Sequence, residues 1–273
     1  MRTGGSGGGV KFARHDECTL SAAVAGWCAH FYPGPLNAVD VLPAHHVSGL
    51  MARLRCAVTG GRHLAWDWKR LESGDHPVLC GNGAAWTISL VPTQLQRLLR
   101  STAAVDWLRR FGIVFVGGGP SWPELANQAA EEKIRVSLSY GTTETAAMVA
   151  ALRPDEFLAG ARSSGTALPH ARIRIAADGV IAVAGESISR GYAQSGPGGT
   201  EPGDFHVMRE NAADAGGAGR EFVTEDLGRI DERGHLHVVG RRDAMIITGG
   251  RKVQPAAVEA ALRSSGEFDD VAV

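Results

Sequence analysis

The chain has 273 residues, and its 28 Lys and Arg against 29 Asp and Glu leave a formal net charge of −1, which excludes the basic excess of a nucleic-acid binder. With 44% hydrophobic and 21% charged residues it can bury a sizeable core, which excludes a disordered polyelectrolyte. Its 36 glycines are about twice ordinary usage and follow no collagen-like period, so they belong to particular loops.

In chain order, the first feature is the run Thr3-Gly4-Gly5-Ser6-Gly7-Gly8-Gly9-Val10-Lys11, with no strand ahead of it. Helical spacing of Leu20, Val24, Trp27 and Cys28 predicts a helix from Glu17 to His30. Ala38 to Leu42 reads as a short buried strand and Val47 to Val58 as a buried helix. Trp86 to Val91 is strand-like, and Pro92 opens a helix running to Leu99. Ile113 to Val116 is a strand ending in Gly117-Gly118-Gly119. A helix over Pro123 to Glu132 and a strand over Val136 to Tyr140, ending in Gly141, repeat the pattern. Strand–glycine–helix alternation predicts an α/β region with a mostly parallel sheet, whose ligands bind beyond the carboxyl ends of the strands.

Beyond about residue 160 the pattern turns to hairpins. Ala171–Ala177 and Val180–Ala184 flank Asp178-Gly179, and a second hairpin centres on Asp231-Glu232-Arg233-Gly234. Ser195 to Gly219, rich in Gly, Pro, Ala and acids, reads as a loop. From Arg241 a new unit begins: a strand over Met245–Thr248, a Gly249-Gly250 turn, a helix over Pro255–Arg263 and a strand over Val271–Val273. The expectation is therefore a core over 1–240, with a small β-rich subdomain, and the start of a small α+β C-terminal domain over 241–273.

Cys18, Cys28, Cys56 and Cys80 are too sparse for a disulfide framework. No apolar run reaches the roughly 18–20 residues of a membrane span. Met1-Arg2-Thr3-Gly4-Gly5 is neither a secretory signal nor a myristoylation site, so a soluble cytoplasmic protein is expected.

Four segments carry chemistry. Glycines of the Thr3–Lys11 run let backbone N–H groups wrap an anion, with Thr3 and Ser6 hydroxyls and the Lys11 charge in support. Phe12 after Lys11 rules out a Walker loop, and taken alone the run reads equally as a loose N-terminus. Tyr140-Gly141-Thr142-Thr143-Glu144 sets hydroxyls and a carboxylate at a strand end, where they suit phosphates and magnesium; Thr-Thr-Glu is also an ordinary helix N-cap. Thr224-Glu225-Asp226 supplies an acid for sugar hydroxyls, or simply a solvated loop acid. Gly240-Arg241-Arg242-Asp243 leads to a glycine turn, as an interdomain linker also would. His15, Cys18, Cys28 and His30 flank one helix at no zinc-finger spacing, and His235 with His237 on one face of a strand makes no metal site.

In this order and spacing the four segments resemble the acyl-adenylate-forming superfamily, whose motifs TSGSTGxPK, YGxTE, TGD and GRxDxxIxxxGxxIxPxEVE stand here as TGGSGGGVK, YGTTE, TED and GRRDAMIITGGRKVQPAAVE. Within it the chain is most similar to the o-succinylbenzoate:CoA ligase branch, through Leu42–Gly61, Ser89–Leu99, Gly117–Pro123 and Phe157–Ala171. Gly7 and Val10 depart from the phosphate-loop pattern.

The resemblance implies ATP, Mg²⁺ and CoA as reactants with a small carboxylic acid; a homo-oligomer is compatible with the sequence. It implies that Thr3, Gly5, Ser6, Gly8, Lys11 and Thr143 contact phosphates, and that Glu144 holds magnesium. Gly117, Gly118, Gly119, Tyr140, Gly141 and Thr142 would line the adenine slot, and Asp226 and Arg241 would take the ribose hydroxyls. His46 would wall the acyl tunnel, with Arg55 at the acid's second carboxylate and Ser89 and Thr93 nearby. Asp243 would be the hinge of the C-terminal domain. Relative to the superfamily pattern, the expectation is a partial ligase, without the N-terminal subdomain and ending ahead of a C-terminal catalytic lysine; the alternatives are a non-catalytic remnant retaining at most nucleotide binding, or a ligase for another aryl or acyl acid.

Overall fold

Parallel strands need long crossovers, and this chain supplies most of them as helices. The computed structural model describes residues 1–3, 11–31, 34–81, 86–119, 121–194, 220–248, 251–265 and 271. β1 (Lys11–Ala13) leads into α1 (Glu17–Phe31), β2 (Asn37–Asp40), α2 (Val47–Thr59), β3 (His63–Ala65) and α3 (Trp68–Glu72). β4 (Trp86–Leu90), α4 (Pro92–Leu98), α5 (Thr102–Leu108), β5 (Ile113–Val116), α6 (Pro123–Glu131) and β6 (Val136–Thr142) follow. A 3-10 turn over Thr143–Thr145 then gives way to β7 (Ala147–Ala151), α7 (Pro154–Leu158) and β8 (Thr166–Ala167).

Among the described residues these strands form a sheet ordered β3-β2-β4-β5-β6-β7-β8. It is parallel from β3 to β6 and antiparallel across β6–β7 and β7–β8. Helices cover the sheet, which is why β5 reads as an unbroken apolar run. Ile88, Val114, Val116 and Leu138 lie in one core with Leu95, Leu108 and Leu125 of the helices. The opposite face meets α1 through Trp27, which packs on Phe115 of β5 with ring centroids 5.8 Å apart. Pro92 and Pro123 sit in the first turns of α4 and α6. Gly60 stops α2 in the left-handed conformation at φ 72°, its N–H returning to the Cys56 carbonyl.

β9 (Ala171–Ile175), β10 (Val180–Gly185), β11 (Tyr192–Gln194), β12 (Arg220–Ile230) and β13 (Leu236–Arg241) build the second part. Four of them form an antiparallel sheet ordered β13-β12-β10-β9, while β11 pairs with β1. β14 (Ile246–Thr248), β15 (Arg251–Val253) and α8 (Pro255–Ser264) come last. The α/β fold with a β-rich subdomain is thus as expected.

Several elements differ from the sequence reading. Of the two readings left open for Thr142-Thr143-Glu144, no α-helix follows: Thr143–Thr145 is a single 3-10 turn, and Ala146 and Ala147 take positive φ of 55° and 72° and send the chain back antiparallel as β7. The expected strand over Met245–Thr248 is one arm of a hairpin with β15. Val271 carries no strand, and 272–273 lie outside the described residues, as does the expected loop over 195–219. β3, α3, α5 and α7 are too short to show a hydrophobic period of their own.

Candidate nucleotide and acid site

The carboxyl ends of β5 and β6 lie side by side, and glycine makes that approach possible. A Cβ on Gly117 would fall 2.8 Å from the Ser139 hydroxyl and 3.2 Å from its carbonyl. One on Gly141 would fall 1.9 Å from the Ala147 carbonyl, so the β6–β7 crossing itself requires glycine there. Gly118 has φ 74°, and beyond it Gly118 and Gly119 are exposed at the strand end.

Next to this turn, Tyr140 is 8% exposed and donates its hydroxyl to Asp226 Oδ2 at 2.7 Å. Burial, and then the Asp226 charge, raise the Tyr140 pKa, so the phenol stays a donor. Asp226 on β12 stands directly opposite Arg241 on β13, with Arg241 Nη1 3.7 Å from Asp226 Oδ1. Arg241 in turn donates to both carboxylate oxygens of Asp243, at 2.8 and 2.7 Å. Buried Thr224 sets the bend: its hydroxyl donates to the Ile181 carbonyl at 2.9 Å and accepts from the Asp226 N–H at 3.0 Å. Asp226 retains acceptor capacity for a vicinal diol.

A second group gathers on the 3-10 turn. Tyr192 donates to Glu144 Oε1 at 2.8 Å, and Lys11 Nζ lies 5.8 Å from the centroid of the Tyr192 ring. The β1–β11 pairing brings Lys11 and Tyr192 to Glu144, since the Ser189 N–H also donates to the Glu144 carbonyl at 2.8 Å. Burial first, then the Glu144 charge, raise the Tyr192 pKa. His15 Nε2 donates to the Thr143 carbonyl at 2.8 Å, tying the turn to the start of α1. Thr145 is fully buried; its hydroxyl accepts from the Thr142 N–H at 2.9 Å and bonds the Ala147 carbonyl at 2.6 Å. At the base of the glycine run, the Thr3 N–H donates to the Lys11 carbonyl at 2.9 Å. Gly5, Ser6 and Gly8 lie outside the described residues.

One carboxylate, Glu144, with a nearby cation and hydroxyls suits magnesium carried on phosphate oxygens, an ion that takes one or two protein carboxylates. Among the described residues no three His, Cys, Asp or Glu come together to hold a metal alone. His235 and His237 do not share a strand face as expected. His235 precedes β13 and meets the Ser163 hydroxyl at 3.0 Å, while His237 meets Asp231 at 2.8 Å.

A third group centres on α2. Arg55 is 4% exposed, its guanidinium carbon 5.1 Å from the centroid of the Trp27 ring. Its Nε has no hydrogen-bond partner among the described residues. Burial lowers its pKa to about 10, which leaves it charged at neutral pH. Among the described residues no carboxylate pairs with Arg55, and a buried cation so placed fits an incoming carboxylate. Ser89 pairs in register with Phe115, on whose face Trp27 rests, so Ser89 shares the side of the sheet over which Arg55 lies. Thr93 is exposed on α4. His46, exposed and against His45 at 4.6 Å between centroids, precedes α2 and lies about 13 Å of helical rise from Arg55.

Sequence reasoning missed Tyr192 and Thr145, and read His15 only as a discounted metal ligand and Thr224 only as a neighbour of Asp226. Tyrosine offered a signal, since two of the chain's three tyrosines, Tyr140 and Tyr192, hold the two site carboxylates.

Residues 1–193 match the family described as AMP-binding enzyme. The 2-succinylbenzoate–CoA ligase of Geobacillus sp. (strain WCH70) is 30% identical over 244 residues, which span 85% of this chain and 46% of that protein. Thus the chain spans about half the length of that curated relative. Among solved structures, o-succinylbenzoate coenzyme A synthetase from Bacillus subtilis in complex with ATP and magnesium ion superposes with a TM-score of 0.76 at 25% identity, covering 99% of this chain and 55% of that one. The same enzyme in complex with the acyl-adenylate intermediate gives 0.75 at 26% identity, over 97% of this chain and 53% of that one. No helix among the described residues is long and apolar enough to cross a membrane.

Proposed function

The chain belongs to the AMP-binding enzyme family, and from that premise we propose that it serves an ATP-dependent acid–CoA ligase acting on o-succinylbenzoate. The observation that carries the choice of acid is Arg55, a buried guanidinium whose Nε has no hydrogen-bond partner among the described residues. An acid that reacts at one carboxylate while burying another needs such a cation, and guanidinium offers a bidentate fork. The relatives' substrate supports the same choice.

In this reading the acid's free carboxylate attacks the α-phosphate of ATP, giving acyl-AMP and pyrophosphate, and the CoA thiolate then displaces AMP. Asp226, held by Tyr140, accepts from the ribose hydroxyls, and the Gly117–Gly119 turn flanks the adenine. Lys11 and Thr143 meet phosphate oxygens with Thr3 and the glycine run. Magnesium, held by Glu144, would neutralise charge on the phosphates. Arg55 anchors the ring carboxylate, with Ser89 and Thr93 beside the acid and His46 at the tunnel wall. Residues 1–240 form the adenylating core, and 241–273 begin a C-terminal unit that turns about Asp243. We place the reaction in the cytoplasm.

Equilibrium titration of the folded chain tests the proposal. Saturable binding of both ATP with magnesium and o-succinylbenzoate is expected. Absence of binding by either at millimolar ligand contradicts it.

A further inference from the structure

Arg55 Nε is not alone in lacking a hydrogen-bond partner among the described residues. A Cβ on Gly26 would fall 1.9 Å from His170 Nδ1, so the imidazole of His170 lies against the α1 backbone one residue from Trp27. Trp27 is the ring over which Arg55 lies, and the Arg55 charge acts on His170. Trp27 Nε1, Arg55 Nε and both His170 ring nitrogens are buried without hydrogen-bond partners among the described residues. The first two atoms can only donate, and a neutral imidazole adds one donor and one acceptor. Three donors against one acceptor complement a carboxylate, which only accepts.

Resting on the assignment of Arg55 as the anchor of the acid, we propose that His170 is a second specificity-determining residue, donating an N–H to the same buried carboxylate. Gly26 is what admits the ring, since any side chain there would occupy its place. Charge also balances. Burial, and then the Arg55 charge, lower the His170 pKa to about 4, while a hydrogen-bonding approach to the Met148 backbone acts in the opposite direction. The ring is therefore neutral at neutral pH, and the pair presents one positive charge to one carboxylate. A hydrogen bond to a charged group is stronger than a neutral one, so this contact separates acids that carry the second carboxylate from those that lack it.

The test is calorimetric titration of the full chain with o-succinylbenzoate and, separately, with ATP. His170→Phe keeps the ring on Gly26 and should weaken o-succinylbenzoate about tenfold or more while leaving ATP affinity in place. His170→Gln restores an N–H and should recover most of the loss. Unchanged affinity in His170→Phe overturns the role of His170, and if Arg55→Met still weakens the acid, the Arg55 assignment stands. An Arg55→Met without effect removes both. Titration of His170 by NMR in the unmutated chain gives an independent reading. Bound o-succinylbenzoate offsets the Arg55 charge and should raise the His170 pKa from about 4, and an unmoved value overturns the contact.

Discussion

The Tyr140 hydroxyl and the Asp226 carboxylate, 86 residues apart, meet at 2.7 Å and join the end of β6 to the β12–β13 pair. That bond ties Asp226 to β6, whose Ser139 lies against Gly117. Tyr140→Phe leaves the carboxylate without this donor and should cost about 1–3 kcal/mol of stability by chemical denaturation. Affinity for ATP should fall, with that for o-succinylbenzoate unchanged.

Thr145 holds the 3-10 turn that presents Thr143 and Glu144. Thr145→Val keeps the shape and strands the Thr142 N–H and the Ala147 carbonyl, both bonded to its hydroxyl. We expect a loss of about 2 kcal/mol in denaturation and weaker binding of ATP with magnesium. A variant as stable as the parent would show that the turn holds its shape without this hydroxyl.

Lys11→Ala combined with Glu144→Ala should weaken ATP with magnesium by about tenfold or more, because both sites of charge on the phosphates are lost. The effect of Lys11→Ala alone should shrink as salt is raised, since Lys11 is exposed. An effect that persists at high salt would place Lys11 in a structural role.

His170 makes stability depend on pH. Its folded pKa is lowered to about 4, so the neutral ring stabilises the fold above about pH 6.5, and that contribution fades as pH falls toward 4. His15, His30 and His76 are lowered by burial too and act in the same sense, so the comparison must be between chains. His170→Gln should show a shallower decline than the parent between pH 6.5 and 4, by on the order of 2 kcal/mol. Parallel curves would mean that the ring titrates freely.

Strands that are unbroken apolar runs, helices opened by Pro92 and Pro123, and the Asp178-Gly179 turn were legible because each rests on local chemistry. β7 was not, since Thr-Thr-Glu followed by apolar residues fits a capped helix; two alanines at positive φ, a tertiary constraint, decide for a strand. Within the site, motif spacing located Tyr140, Glu144, Asp226 and Arg241. What joins them is a set of long-range bonds, from Tyr192 and His15 among others, that no local pattern carries. Arg55 was legible as a residue, but the burial of its Nε without a hydrogen-bond partner among the described residues emerges only once α1 and α2 are packed.

The most direct test of the account compares two acids on two chains. Benzoylpropionate is o-succinylbenzoate without the ring carboxylate, and both can be titrated into the parent and into Arg55→Met. The account predicts that the parent prefers o-succinylbenzoate by about tenfold or more, and that Arg55→Met abolishes the preference by weakening that acid alone. Equal affinities in the parent, or a preference that survives Arg55→Met, would contradict it.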